Sequence, residues 1–313
     1  MTDAPNIKTR SWLMLMILGV TWGGTFLVIE IALRGMPPFW LATCRITFAA
    51  LLSVGIWQMR GGKLFAAPLD GQQRLNLWVI GLLSSAVPFM LISWGQQFVT
   101  SGFAGVSMAS VALMVLPMAH FLIPDERLTV RRFVGFLIGF AGVVLLIGGQ
   151  VFSSSGAGLE LSGRLACLTA AGCYALSSVL MRRLPQVDSL GLTAILLVIG
   201  AVAVLPSAIL MEGIPPVPDR TTVIAVLFLG LVPTAAANLL RVTLVRTAGP
   251  VFMSLVNYQV PVWSVLFGAL ILSEPLPGTL IWALLLILGG MGLSQYGALR
   301  RLFGLDPERA RGR

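Results

Sequence analysis

The chain has 313 residues, 57% of them hydrophobic and only 11% charged, with a formal net charge of +9 and a mean hydropathy of +0.92. An ordinary soluble domain carries about 25% charged residues, so this composition excludes a water-soluble globule and points to a bilayer, whose hydrocarbon takes about 20 apolar residues per spanning helix. Nucleic-acid binding would need a basic patch with interleaved aromatics, and the sequence contains none.

Charged and Gly/Pro-rich breaks divide the chain into ten predicted spanning helices. The first covers about 11 to 33, behind Lys8 and Arg10. Its apolar core is too long for a secretory signal and no small-residue cleavage site follows, so an uncleaved span is expected. It contains TWGGTF, with Trp22 and Thr25 near mid-span, Gly19 and Gly23 in GxxxG spacing, and Gly24 as a point of flexure. Small residues at this spacing serve close helix packing. Glu30 is the only acidic residue within a span, and pairing with Arg34 or Arg45 is expected. The second helix, 38 to 59, opens with PPFWLATCR, which ends at Arg45. The third, 75 to 99, holds Pro88 and Trp94, and the fourth, 102 to 122, holds Ser107, Met108, Pro117 and, near its end, the lone His120.

The fifth, 130 to 149, carries Gly135, Gly139 and Gly142, after which GQVFSSSGAGLELSG reads as a linker at 151–162. The sixth to tenth helices are expected at 163–183, 189–211, 221–245, 249–272 and 277–298, with a basic tail at 300–313. Tyr174 and Ser177 fall in the sixth, Pro233 and Asn238 in the eighth. The ninth reads SLVNYQVPVW from Ser254. Pro261 there has no amide hydrogen and crowds the carbonyl of Asn257, which predicts a bent turn and a hydrogen-bonding ledge at Asn257 and Tyr258.

Lys and Arg collect in cytoplasmic loops of membrane proteins. With the N-terminus inside, sixteen of the 21 fall on the cytoplasmic side, three outside (Arg34, Arg164, Arg220), and two, Arg45 and Arg241, within spans. Both termini are therefore expected to be cytoplasmic.

The halves 1–150 and 163–299 repeat. AVPFM around Pro88 matches LVPTA around Pro233, VLPMA around Pro117 matches QVPVW around Pro261, Glu126-Arg-Leu128 matches Glu274-Pro-Leu276, and Gly142 matches Gly290. Five spans per half is odd, so the second half must enter the membrane from the opposite side, the inverted repeat of many secondary transporters. The shorter interval from Pro117 to Glu126 than from Pro261 to Glu274 implies that one half has a shorter fourth helix.

In TWGGTF, PPFWLATCR, the paired prolines, the two Glu-x-Leu turns and the glycine-rich fifth and tenth spans, the chain resembles the drug/metabolite transporter superfamily with EamA-type repeats. The resemblance implies an all-α integral membrane protein of ten helices, with a central cavity lined by the first, third, fourth, sixth, eighth and ninth, and a role in exporting metabolites or amino acids. Among its branches, the aromatic and neutral amino-acid exporters are similar in layout.

No enzyme signature is present: no HExxH, no second histidine beside His120, no carboxylate at depth for a nucleophile and base. The cysteines, Cys44, Cys167 and Cys173, lie in apolar runs without metal or disulfide spacing and read as small packing residues, and no cofactor is implied. Hydrocarbon satisfies no polar group, so polar residues near mid-span should face protein or a water-filled cavity. The expected substrate contacts are Trp22, Thr25, Trp94, Ser107, Met108, Tyr174, Ser177, Asn238, Asn257 and Tyr258, with bends or gates at Gly23, Gly24, Pro88, Pro117, Pro233 and Pro261. The absence of a midplane carboxylate favours facilitated diffusion or exchange of a neutral or zwitterionic solute. Proton-coupled export of lipophilic cations is the alternative, and a non-transporting membrane scaffold a third possibility.

Overall fold

A computed structural model describes residues 7–62, 70–122, 129–148, 159–182, 184–185 and 187–303. The ten helices are α1 (Thr9–Leu33), α2 (Pro38–Met59), α3 (Gly71–Gly95), α4 (Ser101–Leu122), α5 (Val130–Gly148), α6 (Glu160–Met181), α7 (Ser189–Glu212), α8 (220–248), α9 (Val256–Ile271) and α10 (Gly278–Leu302). Among the described residues, nine helices are long and apolar enough to span a bilayer, and α9 is a shorter apolar helix. Three loop aspartates start helices: Asp70 accepts from Gln73 N, Asp188 from Gly191 N and Asp219 from Thr222 N, each satisfying a donor that the first turn leaves unpaired.

The main helix contacts obey one rule. Helix α1 packs on α9 and α6 on α4; α3 packs on α6 and α8 on α1; the middle of α3 packs on α7 and the middle of α8 on α2. The self-counterpart pairs α2–α7, α4–α9 and α5–α10 complete the set. Adding five to the first half maps each of these main contacts onto another, a pseudo-two-fold relation between the halves that smaller contacts such as that of α4 on α5 do not share. Their opposed direction is visible in the ends of α6. Gly163 at its start lies against Gly95, the last residue of α3. Helix α4 begins six residues later, and its first amides bond Glu274. Arg182 closes the other end of α6, whose 22 residues extend about 33 Å, so Arg182 and Glu274 stand at opposite ends of the molecule.

Close packing at the seams uses glycine. A Cβ on Gly290 of α10 would stand 2.4 Å from both Gly135 O and Gly139 N of α5, and one on Gly23 would stand 2.4 Å from Trp263 Cβ of α9. Helix α1 runs unbroken through Gly23 and Gly24, so Gly23 acts as a contact seat and the expected flexure is not a break in the helix. Three expectations are corrected. The fourth helix of the first half has 22 residues against 16 in its counterpart; α9 is the shorter because the chain turns at Ser254–Leu255 before the helix begins. Glu160 belongs to α6, where it pairs with the buried Arg164, whereas the rest of the linker up to residue 158, the Glu126-Leu128 turn and the tail from 304 lie outside the described residues. Glu30 makes no ion pair among the described residues: its charged neighbours are Glu274 and Arg34, and Arg45 turns elsewhere.

Candidate functional site

The prolines that repeat between the halves act on the backbone of α3 and α8. Residues Leu82–Ala86, just ahead of Pro88, and Gly230–Ala236, around Pro233, are single π-helical stretches in otherwise α-helical spans. A proline inside a helix supplies no N–H and crowds the carbonyl four residues back, which for Pro233 is that of Leu229. The freed Leu229 oxygen accepts the Thr234 hydroxyl at 2.8 Å, and the Pro233 carbonyl accepts the Trp22 indole N–H from α1 at 2.9 Å. Pro117 and Pro261 lie within α4 and α9 without such a stretch.

Between the halves is a cavity of about 420 Å³, within the usual range for small-molecule sites. Helix α1 lines it with Trp22, Thr25, Phe26 and Ile29, α3 with Ser84, Ser85, Phe89 and Ile92, and α4 with Met108, Ala109 and Val111. Helix α6 adds Tyr174, Ser177, Ser178 and Met181, α8 adds Pro233, Thr234, Asn238 and Arg241, and α9 adds Asn257, Val260 and Pro261. Helices α2, through Arg45, and α7, through Ser189 to Leu197, also contribute. The lining set implied by the resemblance is thus two helices short: the pseudo-symmetry pairs α2 with α8 and α7 with α3, bringing both to the cleft.

The two ends of the cavity differ. At the α4 start end, Ile29 and Ile92 are 1% and 5% exposed, while at the other end Ser178, Arg241 and Asn257 are open to solvent. The closed end is tied by carboxylates on helix N-termini. Glu212, the last residue of α7, accepts from Phe39 N and Trp40 N of α2, both at 3.0 Å. Glu274, between α9 and α10, accepts from Ser101 N at 2.7 Å and Gly102 N at 3.1 Å. Each joins the second half to the first, and each places negative charge at the positive end of a helix dipole. No counterpart is described at the open end.

Of the ten expected contacts, Trp22, Thr25, Met108, Tyr174, Ser177, Asn238 and Asn257 line the cavity; Trp94, Ser107 and Tyr258 do not. Trp94 stacks edge-on against Phe98, 5.0 Å between centroids. Ser107 is fully buried and donates to Phe103 O of its own helix at 2.9 Å. Tyr258 points away because Asn257 faces the cleft and the next residue of a helix is rotated by about 100°. It borders a second, apolar groove between α1 and α9 with Gln259, whose side chain packs at Gly19. The bent turn of this stretch falls at Ser254–Leu255, so Asn257 sits in the first turn of α9. Thr25 and Ser177 bond carbonyls of their own helices, Thr21 O at 3.0 Å and Tyr174 O at 3.0 Å, and Asn238 donates to Thr234 O. Asn257 makes no hydrogen bond through its side chain among the described residues.

The sequence reading missed Arg45. Its Nε donates to Thr234 Oγ1 at 3.0 Å, and its guanidinium lies over the Phe89 ring, 4.2 Å from the centroid. A charged residue inside a spanning helix was the available signal, but the sequence reading matched it to Glu30 across a short loop. Arg241, also within a span, lies two turns from Thr234 on the same face of α8, through Asn238. Among the described residues, no Asp, Glu, Lys or His lines the cavity, and no group of acidic, histidine or cysteine residues is arranged to hold a metal ion.

Similarity to known proteins agrees with this architecture. The model of the EamA-like transporter family matches residues 10–148 and 161–295, one match per half. The chain is 31% identical over 285 residues to YedA of Escherichia coli (strain K12), named as an uncharacterized inner membrane transporter, covering 87% of this chain and 89% of that one. It is 30% identical to the transporter YvbV of Bacillus subtilis (strain 168), covering 90% of each. A Salmonella typhimurium protein named "Probable amino-acid metabolite efflux pump" is 25% identical over 302 residues, 93% of this chain and 96% of that one. A crystal structure with 23% identity has the same fold, with a TM-score of 0.65 over 94% of this chain and 100% of that one. With both five-helix halves matched and a cleft between them, the chain is a membrane transporter, not an enzyme, and belongs to the EamA-like transporter family.

Proposed function

We propose that the protein exports amino acids or related small metabolites across the inner membrane by alternating access, as facilitated diffusion or exchange. The carrying observation is the cavity itself: about 420 Å³, lined from both halves, sealed at one end and open at the other. The charge bias of the loops supports a cytoplasmic open end, where Arg182 lies, and with that orientation the cavity faces the compartment from which an exported solute is loaded. Rocking the halves about their pseudo-two-fold would break the Glu212 and Glu274 ties and open the other side. The name of the Salmonella relative supports the substrate class. Lipophilic-cation export, the alternative, is disfavoured by a cavity whose described lining has two arginines and no carboxylate.

The test is uptake into proteoliposomes of purified protein, using labelled amino acids and their metabolites without an imposed ion gradient. Saturable flux is the expected result. Flux of a lipophilic cation that requires a proton gradient would replace this reading with the alternative, and no flux of any solute would leave a scaffold.

A further inference from the structure

The Arg45 guanidinium is held by one edge only. Its Nε is bonded to Thr234, its face is covered by Phe89, and neither terminal nitrogen has a protein hydrogen-bond partner among the described residues. The side chain is 8% exposed and borders the cavity, so what exposure it has opens there. Thr234 is fourteen residues into α8, about 21 Å along the axis, which puts this group near mid-depth. A cation at such depth is expensive without a partner, and no carboxylate among the described residues lines the cavity. What it provides is orientation: Thr234 is itself fixed by the carbonyl that Pro233 frees, and the stacked ring sets the plane of the fork.

We propose, on the basis of the transport reading above, that the substrate is an organic anion whose carboxylate sits on the two terminal nitrogens of Arg45. A planar carboxylate matches that fork with two parallel hydrogen bonds. Arg241, exposed nearer the cytoplasmic mouth on the same face of α8, draws anions inward, because a cleft lined by one sign of charge raises the local concentration of the opposite sign. An ammonium group entering with the carboxylate would meet only neutral acceptors and a second cation. The site therefore prefers acids without a balancing ammonium, such as 2-oxo or N-acylated derivatives of amino acids, to the amino acids themselves. The preference also removes the need for a coupling carboxylate. A monovalent anion leaving a cell that is negative inside gains about fifty-fold in concentration ratio per 100 mV.

The experiment uses full-length protein in nanodiscs and compares thermal stabilisation by 4-methyl-2-oxopentanoate, leucine and leucinamide, with the phenylalanine series run in parallel. The expected order is oxo acid first, amino acid second, and no stabilisation by the amide. R45Q should lose at least tenfold in apparent affinity for the oxo acid, and R241Q should lose less. If R45Q does not fold, R45K carries the test: it keeps the charge without the fork and should still fall severalfold. Equal stabilisation of wild type and R45Q by the oxo acid, equal stabilisation by amide and oxo acid, or no response to any of these anions would overturn the proposal. Binding that depends on Arg45 without flux in proteoliposomes would instead leave the anion site standing and sink the transport reading.

Discussion

Glu274→Gln is expected to loosen the sealed end of the cavity. The Glu274 carboxylate takes two donors from the first turn of α4, Ser101 N at 2.7 Å and Gly102 N at 3.1 Å. It fits tightly there: a Cβ on Gly268 would stand 2.2 Å from its Oε2. Hydrogen bonds to a charged group contribute about 1.5–3 kcal/mol against about 0.5–1.5 for neutral ones, and an anion at a helix N-terminus adds about 0.3–1 kcal/mol. Glutamine keeps one carbonyl acceptor and loses the charge. Water reaches this partly exposed turn, so the net loss is about 1–2 kcal/mol. If the tie exists only in the state closed at this end, that loss shifts the equilibrium between the two access states about five- to thirty-fold. The assay replaces Cys44, Cys167 and Cys173 and places a single cysteine at Ile29, which lines the cavity beneath the seal and is 1% exposed. Labelling by a membrane-impermeant maleimide from the sealed side should accelerate by the same factor in Glu274→Gln. A rate within twofold of the parent, in a variant with an unchanged melting temperature, would refute the view that this carboxylate holds the seal.

Three other outcomes are expected. Gly290→Ala sets a methyl group 2.4 Å from backbone atoms of Gly135 and Gly139, so α5 and α10 must separate and the melting temperature should fall by the equivalent of about 1–3 kcal/mol, while Gly289→Ala, which meets nothing within 4 Å, should leave it unchanged. Asn257→Ala removes a side chain exposed in the cavity and unbonded to protein, so proteoliposome flux should drop severalfold with no change in melting; unaltered kinetics would remove it from the substrate path. Asp219 is held below the ordinary carboxylate range by the side chain and backbone N–H of Thr222. A depressed carboxylate contributes fully above its unfolded pKa and loses that contribution as pH falls through the folded value, so the protection of the Thr222 amide, its exchange rate relative to the intrinsic rate at the same pH, should fall only on acidification below the usual aspartate range.

Much of this molecule was legible along the chain. The absence of water-soluble alternatives for so apolar a sequence imposes spanning helices, and because helix length is dictated by bilayer thickness, span limits could be read to within about four residues, except at the ninth, which starts at Val256 and not at 249. The Pro88/Pro233 and Pro117/Pro261 spacings, with an odd helix count per half, required an inverted pair. Seven of the cavity-lining residues were also identifiable, since a polar or amphipathic side chain near mid-span has few places to go.

What the linear pattern left open were directions and partners. Asn257 and Tyr258 are adjacent and equally plausible, but one helical step turns them to different faces, and only the packing of α9 against α1 decides which one meets the cleft. Pro233 announces a disturbed turn, yet that its freed carbonyl seats Thr234, and Thr234 the Arg45 guanidinium, depends on α2 of one half lying against the π-helical stretch of the other. The seal has the same origin. Glu212 and Glu274 read as loop residues until the fold carries the N-termini of α2 and α4, each more than 170 positions away, to their carboxylates. Composition and periodicity determine which segments leave water; long-range contact geometry determines where charges such as Glu212, Glu274 and Arg45 point, because backbone amides of the opposite half hold the two carboxylates and the Thr234 hydroxyl of the opposite half holds the guanidinium.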